Sequence, residues 1–124
     1  MRKATFFILI GLTSVICSSN ANAGCVGVSV GNFAIASNPV LNSVLKTDGA
    51  ECRIAFTSGR LAYDNSSIVL KPSNGKLDIQ QVSQFLYTPK KGYKGKDKIT
   101  VKLCGTNSLG EKGCATITYD IDVE

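Results

Sequence analysis

No histidine and no tryptophan occur in the 124 residues. Without histidine there is no Ser-His-Asp or Cys-His nucleophile system, no imidazole metal site and no side chain whose ordinary titration falls near neutral pH. Helical periodicity is missing as well: after Gly24 no window holds apolar residues at three-and-four spacing for more than a turn. Nor is there an internal repeat, a low-complexity tract or a linker long enough to divide the chain. What is there is 12 glycines, five cysteines and a series of alternating β-branched runs. That is the composition of a small exported β-rich protein stapled by disulfides.

The amino terminus reads as an address. Met1, Arg2 and Lys3 make a basic start, Ala4 to Cys17 is an apolar run, and Ser18 to Ala23 is a polar stretch ending Ala21-Asn22-Ala23. Small residues at Ala21 and Ala23 suit a signal peptidase, so residues 1–23 are assigned as a cleaved secretory signal. Residues 24–124 are then one domain of about a hundred residues, with no room for a second. The apolar run, about 14 residues, falls short of the roughly 20 that span a bilayer. Acylation at Cys17 is disfavoured by the bulky Ile16 before it. Cleavage takes away Arg2 and Lys3, lowering the formal charge of +5 by two, and leaves Cys25, Cys52, Cys104 and Cys114. In the periplasm or outside the cell, that even set is expected to form two disulfides.

Strands are expected at Val26 to Val30, Val40 to Lys46, Cys52 to Thr57, Ser67 to Lys71, Lys76 to Gln80, Gln84 to Thr88, Lys98 to Cys104 and Cys114 to Val123. Pro72-Ser73-Asn74-Gly75 is a strong turn signal and is expected to join two of them as a hairpin. About seven to eight short strands in one small domain imply an all-β fold, a sandwich of two antiparallel sheets. In the last two strands Ile99, Val101 and Leu103 share one face, and Ala115, Ile117, Tyr119, Ile121 and Val123 share another. If Cys104 lies across from Cys114, Lys102 faces Thr116, Thr100 faces Thr118 and Lys98 faces Asp120, with Ile99 against Tyr119 and Val101 against Ile117. Each pair is compatible, and a one-residue slip would set apolar against polar faces. Four cysteines allow three pairings; this register favours Cys104–Cys114, and Cys25–Cys52 follows by elimination. The nine residues from Gly105 to Gly113 would then form an exposed, disulfide-closed loop.

The stretch from Gln84 runs Phe85-Leu86-Tyr87-Thr88-Pro89, Lys90-Lys91-Gly92-Tyr93-Lys94-Gly95-Lys96-Asp97, then Ile99-Thr100-Val101, and Pro-Ser-Asn-Gly-Lys-Leu lies upstream at Pro72 to Leu77. Over residues 66–123 this resembles the immunoglobulin-like and cadherin-like sandwich modules of bacterial secreted and surface proteins. The resemblance implies structural roles: Pro89 ends a strand, Gly92 and Gly95 permit the turn, Tyr93 packs beneath it, and Asp97 hydrogen-bonds the backbone of the turn. It also implies a module that binds or spaces and is not an enzyme, although fold alone does not set function. Residues 24–65 match no pattern of this kind.

The densest chemical feature is a lysine run, Lys90, Lys91, Lys94, Lys96, Lys98 and Lys102, interrupted by the single acid Asp97. Lys98 and Lys96 are expected to face Asp120 and Asp122, which leaves Lys90, Lys91 and Lys94 as free cations for an anionic envelope polysaccharide or lipid. Tyr93 is the only aromatic among them, which disfavours a stacking platform for nucleic acid. Asp120, Asp122 and Glu124 alternate, but they fall short of the six or more oxygens calcium takes, and no metal or other cofactor is expected. Ser73 between Lys71 and Lys76 is explained by its turn. Asn65-Ser66-Ser67 would be a glycosylation acceptor only in a eukaryotic secretory route.

The function expected is that of an exported, non-catalytic binding or structural domain engaging a protein partner or an anionic envelope component. Lys90, Lys91, Tyr93, Lys94 and Leu109 are its candidate contact residues. The alternative is a secreted hydrolase inhibitor presenting the loop from Gly105 to Gly113, with Leu109 as anchor.

Overall fold

The computed structural model describes residues 24–27, 33–56 and 61–124, so the signal assigned to residues 1–23 and the expected strand positions 28–30 and 57 lie outside the described residues. The described chain is an all-β sandwich of eight strands: β1 (Cys25–Gly27), β2 (Val40–Thr47), β3 (Cys52–Ala55), β4 (Leu61–Leu70), β5 (Gly75–Gln81), β6 (Gln84–Pro89), β7 (Gly95–Asn107) and β8 (Lys112–Val123), with a single 3-10 turn at Ile35–Ser37. One sheet has five strands in the order β1-β2-β8-β7-β4, and the other has three in the order β3-β6-β5.

Period-two alternation builds the core. In β8 Ala115, Ile117, Tyr119, Ile121 and Val123 point inward, and in β7 Ile99, Val101 and Leu103 are fully buried beside them. Phe85 and Tyr87 from β6 and Cys52 and Ile54 from β3 close the core from the smaller sheet. Phe56 meets Phe85 edge to face, their ring centroids 6.1 Å apart. The β7–β8 register is the one the alternation implies: Lys98 opposite Asp120, Ile99 opposite Tyr119, Thr100 opposite Thr118, Val101 opposite Ile117 and Cys104 opposite Cys114. On the outer face the Thr100 and Thr118 hydroxyls share a hydrogen bond of 2.8 Å.

Both expected disulfides are present, Cys104–Cys114 within the β7–β8 hairpin and Cys25–Cys52 from β1 to β3, which links the two sheets. By loop-closure entropy alone they contribute about 3 and about 3.5 kcal/mol respectively.

Four expectations need correction. The sandwich is not wholly antiparallel, because β2 runs parallel to β8, from Val40 opposite Thr116 to Thr47 opposite Val123. Parallel neighbours cannot be joined by a tight turn, and this pair is distant in sequence, out of reach of local pattern. Second, Pro72 to Gly75 does not close a hairpin: β4 belongs to the larger sheet and β5 to the smaller, so this turn carries the chain across the sandwich. Third, β4 begins at Leu61, not Ser67; Leu61 and Tyr63 pack against the core, and the pairing of this first half with β7 includes a register shift between Tyr63 and Asn65. Fourth, the loop from Gly105 to Gly113 is mostly ladder. Pairing continues to Thr106 opposite Lys112, and only residues 108–111 form the connection.

Gly105 and Gly113, paired across that ladder, are not turn glycines but points of close approach. A Cβ on Gly113 would stand 1.8 Å from the Ile35 carbonyl oxygen, and one on Gly105 would stand 2.6 Å from that of Ala62. The segment before β2 therefore presses directly on the start of β8. It is fastened there by Cys114 N–H to Asn38 Oδ1 (2.9 Å) and Thr116 N–H to the Pro39 carbonyl (2.9 Å).

Gly113→Ala should displace this segment and cost about 1–3 kcal/mol in chemical denaturation, an overpacking loss with backbone on the other side of the clash. A loss below about 0.5 kcal/mol would show that the Ile35 turn does not rest on Gly113.

Candidate functional site

The core-facing row of β7 continues past Ile99 to Asp97, a carboxylate only 8% exposed at the end of a hydrophobic strand. A buried charge persists only where hydrogen bonds replace its water, and here there are four. Asp97 Oδ1 accepts the N–H of Ser73 (2.9 Å) and of Lys98 (2.9 Å), while Oδ2 accepts the N–H of Asn74 (3.1 Å) and the hydroxyl of Tyr87 (2.8 Å). One side chain thus joins β7 in the larger sheet, β6 in the smaller, and the turn that crosses between them. Asp97 does hydrogen-bond the backbone of a turn. That turn is the one at residues 72–75, 23 and 24 residues away along the chain, and not the Lys90 to Gly95 turn it follows.

The lysine turn is built on this clasp. Pro89 ends β6, and the Lys90 N–H bonds the Asn74 carbonyl (2.8 Å), tying the turn to the crossing one. Gly92 (φ +80°) and Gly95 (φ +139°) hold the positive angles that reverse the chain into β7. Tyr93 lies half-buried against the core with its hydroxyl donating to the Lys96 carbonyl (2.6 Å), and a Cβ on Gly95 would strike that hydroxyl. Lys90, Lys91 and Lys94 project from this frame exposed, with no ion pair among the described residues. Lys71, also exposed, leaves β4 at the same end.

Lys96 pairs with Asp122 and Lys98 with Asp120 (3.5 Å) across the β7–β8 ladder. The hydrogen bond and charge of Asp122 hold the Lys96 ammonium above its ordinary pKa. Beside these pairs lies a cleft of about 580 Å³, walled by the pairs themselves, by Ser73 and Asn74 of the crossing turn, and by Val44 and Ile121. No sequence pattern joins these positions, which come from four separate segments.

The other candidates are dispersed. Leu109 sits at the tip of the β7–β8 hairpin, 83% exposed and at the opposite end of the sandwich from the lysine turn. Its connection is rigid because Asn107 Oδ1 accepts the N–H of Leu109 (3.0 Å) and of Glu111 (2.9 Å). As a four-residue hairpin tip it is not the broad nine-residue loop expected for an inhibitor. Asn65-Ser66-Ser67 lies inside β4. Of the C-terminal acids Asp120 and Asp122 face lysines, and no group of three or more metal-ligating side chains is found among the described residues. No helix among them is long and apolar enough to cross a membrane.

No protein-family model matches the chain, and no curated protein matches it. Among solved structures, a 2,6-sialyltransferase of the Vibrionaceae bacterium Photobacterium sp., crystallised with the donor product CMP and the acceptor substrate lactose, aligns over 68% of this chain with a TM-score of 0.42 and 13% identity. The aligned part spans 17% of that enzyme's length. A likeness this slight carries no argument about the present chain.

Asp97→Ala would leave the Tyr87 hydroxyl and the turn amides without their acceptor, and should cost about 3–5 kcal/mol in urea unfolding, with Asp97→Asn in between. An unchanged midpoint would show that the clasp contributes nothing.

Burial, then the Asp97 hydrogen bond and charge, hold the Tyr87 phenol well above its ordinary value of 10.0, and burial pushes Tyr119 up to about 12. A folded-state pKa above the unfolded one means the native state keeps protons that the unfolded chain releases. Stability is therefore full below pH 10 and declines as pH rises from there, by about 2–3 kcal/mol for Tyr119 once pH passes 12. Denaturation curves at pH 8 to 12 should show the decline, and Tyr119→Phe should make it shallower.

Proposed function

We propose that the protein is an exported, non-catalytic binding module of the bacterial immunoglobulin-like and cadherin-like type, whose lysine turn engages an anionic component of the cell envelope. The observation that carries this reading is the state of three cations: Lys90, Lys91 and Lys94 are exposed and without acidic partners among the described residues, on a turn fastened by Tyr93, Pro89 and the Asn74 carbonyl. Lysines on a fixed turn lose less freedom on binding than lysines on a flexible tail, so their charge acts as a patch. Lys71 extends the patch along the same end.

Two disulfides in so small a domain favour an oxidising compartment, periplasmic or extracellular. The non-catalytic reading is supported by what Asp97 does: its oxygens are taken up by four protein donors, which suits a structural carboxylate better than a reacting one.

The test is capture of anionic polymer from an envelope fraction by the immobilised protein across a salt series. Capture should be strong near 0.01 M ionic strength, where charges act over about 30 Å, and lost near 1 M, where the range is about 3 Å. The triple variant Lys90→Glu, Lys91→Glu, Lys94→Glu should lose it at every salt concentration, whereas Leu109→Gly should keep it. Capture that survives the triple substitution would defeat the proposal.

A further inference from the structure

The lysine turn and the cleft beside it are one surface. Asn74 lines the cleft and also accepts the Lys90 N–H, and Lys96 lines the cleft while its carbonyl accepts the Tyr93 hydroxyl. A ligand lying across Lys90, Lys91 and Lys94 therefore has the cleft as its next contact.

The chemistry of the two parts differs. The turn offers uncompensated positive charge. The cleft offers two ammonium groups and two carboxylates already set in pairs, Lys96 with Asp122 and Lys98 with Asp120, and all four remain open to solvent, the side chains of the latter pair being 57% and 60% exposed. Asp97 adds no further acceptor, since its oxygens are engaged by four protein donors. A bare polyanion entering the cleft would bring its charge against Asp120 and Asp122. A hydroxyl group fits both signs, because it donates to a carboxylate and accepts from an ammonium. The exposed side chain of Val44 suits the C–H face of a sugar ring, and about 580 Å³ is within the usual range of a small-molecule pocket.

We infer that the cleft is a glycan subsite and that the ligand is an acidic polysaccharide: acid groups on the lysine turn, hydroxyl groups of a neighbouring sugar in the cleft between Asp120, Asp122 and Lys98. This rests on the lysine-turn reading above and narrows it from any anion to a hydroxyl-rich one.

Asp120→Ala separates the two by sign. The substitution removes a hydroxyl acceptor and at the same time frees Lys98, raising the net positive charge. Exposed ion pairs hold little stability, so the variant should fold, and its melting curve verifies this. The purified, disulfide-bonded protein is titrated with polygalacturonate, with inorganic polyphosphate at matched charge, and with neutral dextran, at one ionic strength. Polygalacturonate should bind more tightly than polyphosphate, and dextran should show no measurable binding. Asp120→Ala should weaken polygalacturonate about tenfold, the size of one charged hydrogen bond, and leave polyphosphate unchanged or tighter. Two results overturn the glycan subsite while sparing the lysine-turn reading: polyphosphate bound as tightly as polygalacturonate, or both polymers bound more tightly by Asp120→Ala. Binding of neither polymer overturns both readings.

Discussion

The arrangement depends on one carboxylate held out of water. Asp97 occupies a core-facing position at the mouth of the sandwich, where an aliphatic side chain would ordinarily complete the row of Ile99, Val101 and Leu103. Its four hydrogen bonds make it a junction of three elements drawn from both sheets: β7 of the larger sheet, β6 of the smaller through Tyr87, and the crossing turn through Ser73 and Asn74. Removing the junction would leave stranded donors, and the cost of such donors, more than the net gain of the bonds, is what fixes the geometry. At the edge of the sandwich formed by β1 and β3, Cys25–Cys52 ties the same two sheets covalently.

From that junction the surface follows. The crossing turn, held by Asp97, offers the Asn74 carbonyl to the lysine turn, and the lysine turn is closed by Tyr93 onto Lys96, one residue before Asp97. Rigid backbone thus lies beneath Lys90, Lys91 and Lys94, while Lys96 and Lys98, which flank Asp97 in β7, stand against Asp122 and Asp120 of β8. A patch of unopposed charge and a charge-balanced cleft lie side by side because both are positioned by the same buried group. The opposite end of the sandwich is organised differently: backbone contact of the Ile35 turn on Gly113, the Cys104–Cys114 staple and the Asn107-capped tip make it a closed structural end.

Much of this was legible in the residues, and the reason is local periodicity. Where one face is apolar and the other polar, a strand declares its inward side, and two such strands with a cysteine each declare their register; β7 and β8 are of that kind. The same alternation places Asp97 inward, two residues before Ile99, so a buried carboxylate could have been read from the pattern. Its partners could not, since nothing in Pro72 to Gly75 marks those amides as waiting for an acceptor more than twenty residues on. The first half of β4 was missed because its inward pair, Leu61 and Tyr63, alternates for only three residues before the register shift at Asp64 breaks the pattern, and its order comes from pairing with β7 and packing on the core.

The sequence by itself determined the class of fold, most strand positions, the two disulfides, the final hairpin and the lysine turn, because each is written in alternation, cysteine placement or turn residues within a short stretch. Only the tertiary structure decided that β2 lies parallel to β8, that the Pro72 to Gly75 turn crosses between sheets, that Gly105 and Gly113 mark contact and not flexibility, and that Val44, Ser73, Lys98 and Asp120 share a cleft. These are relations between segments far apart in the chain. They are fixed by which backbone amides and side chains must be satisfied when the whole core closes, and no local pattern records that.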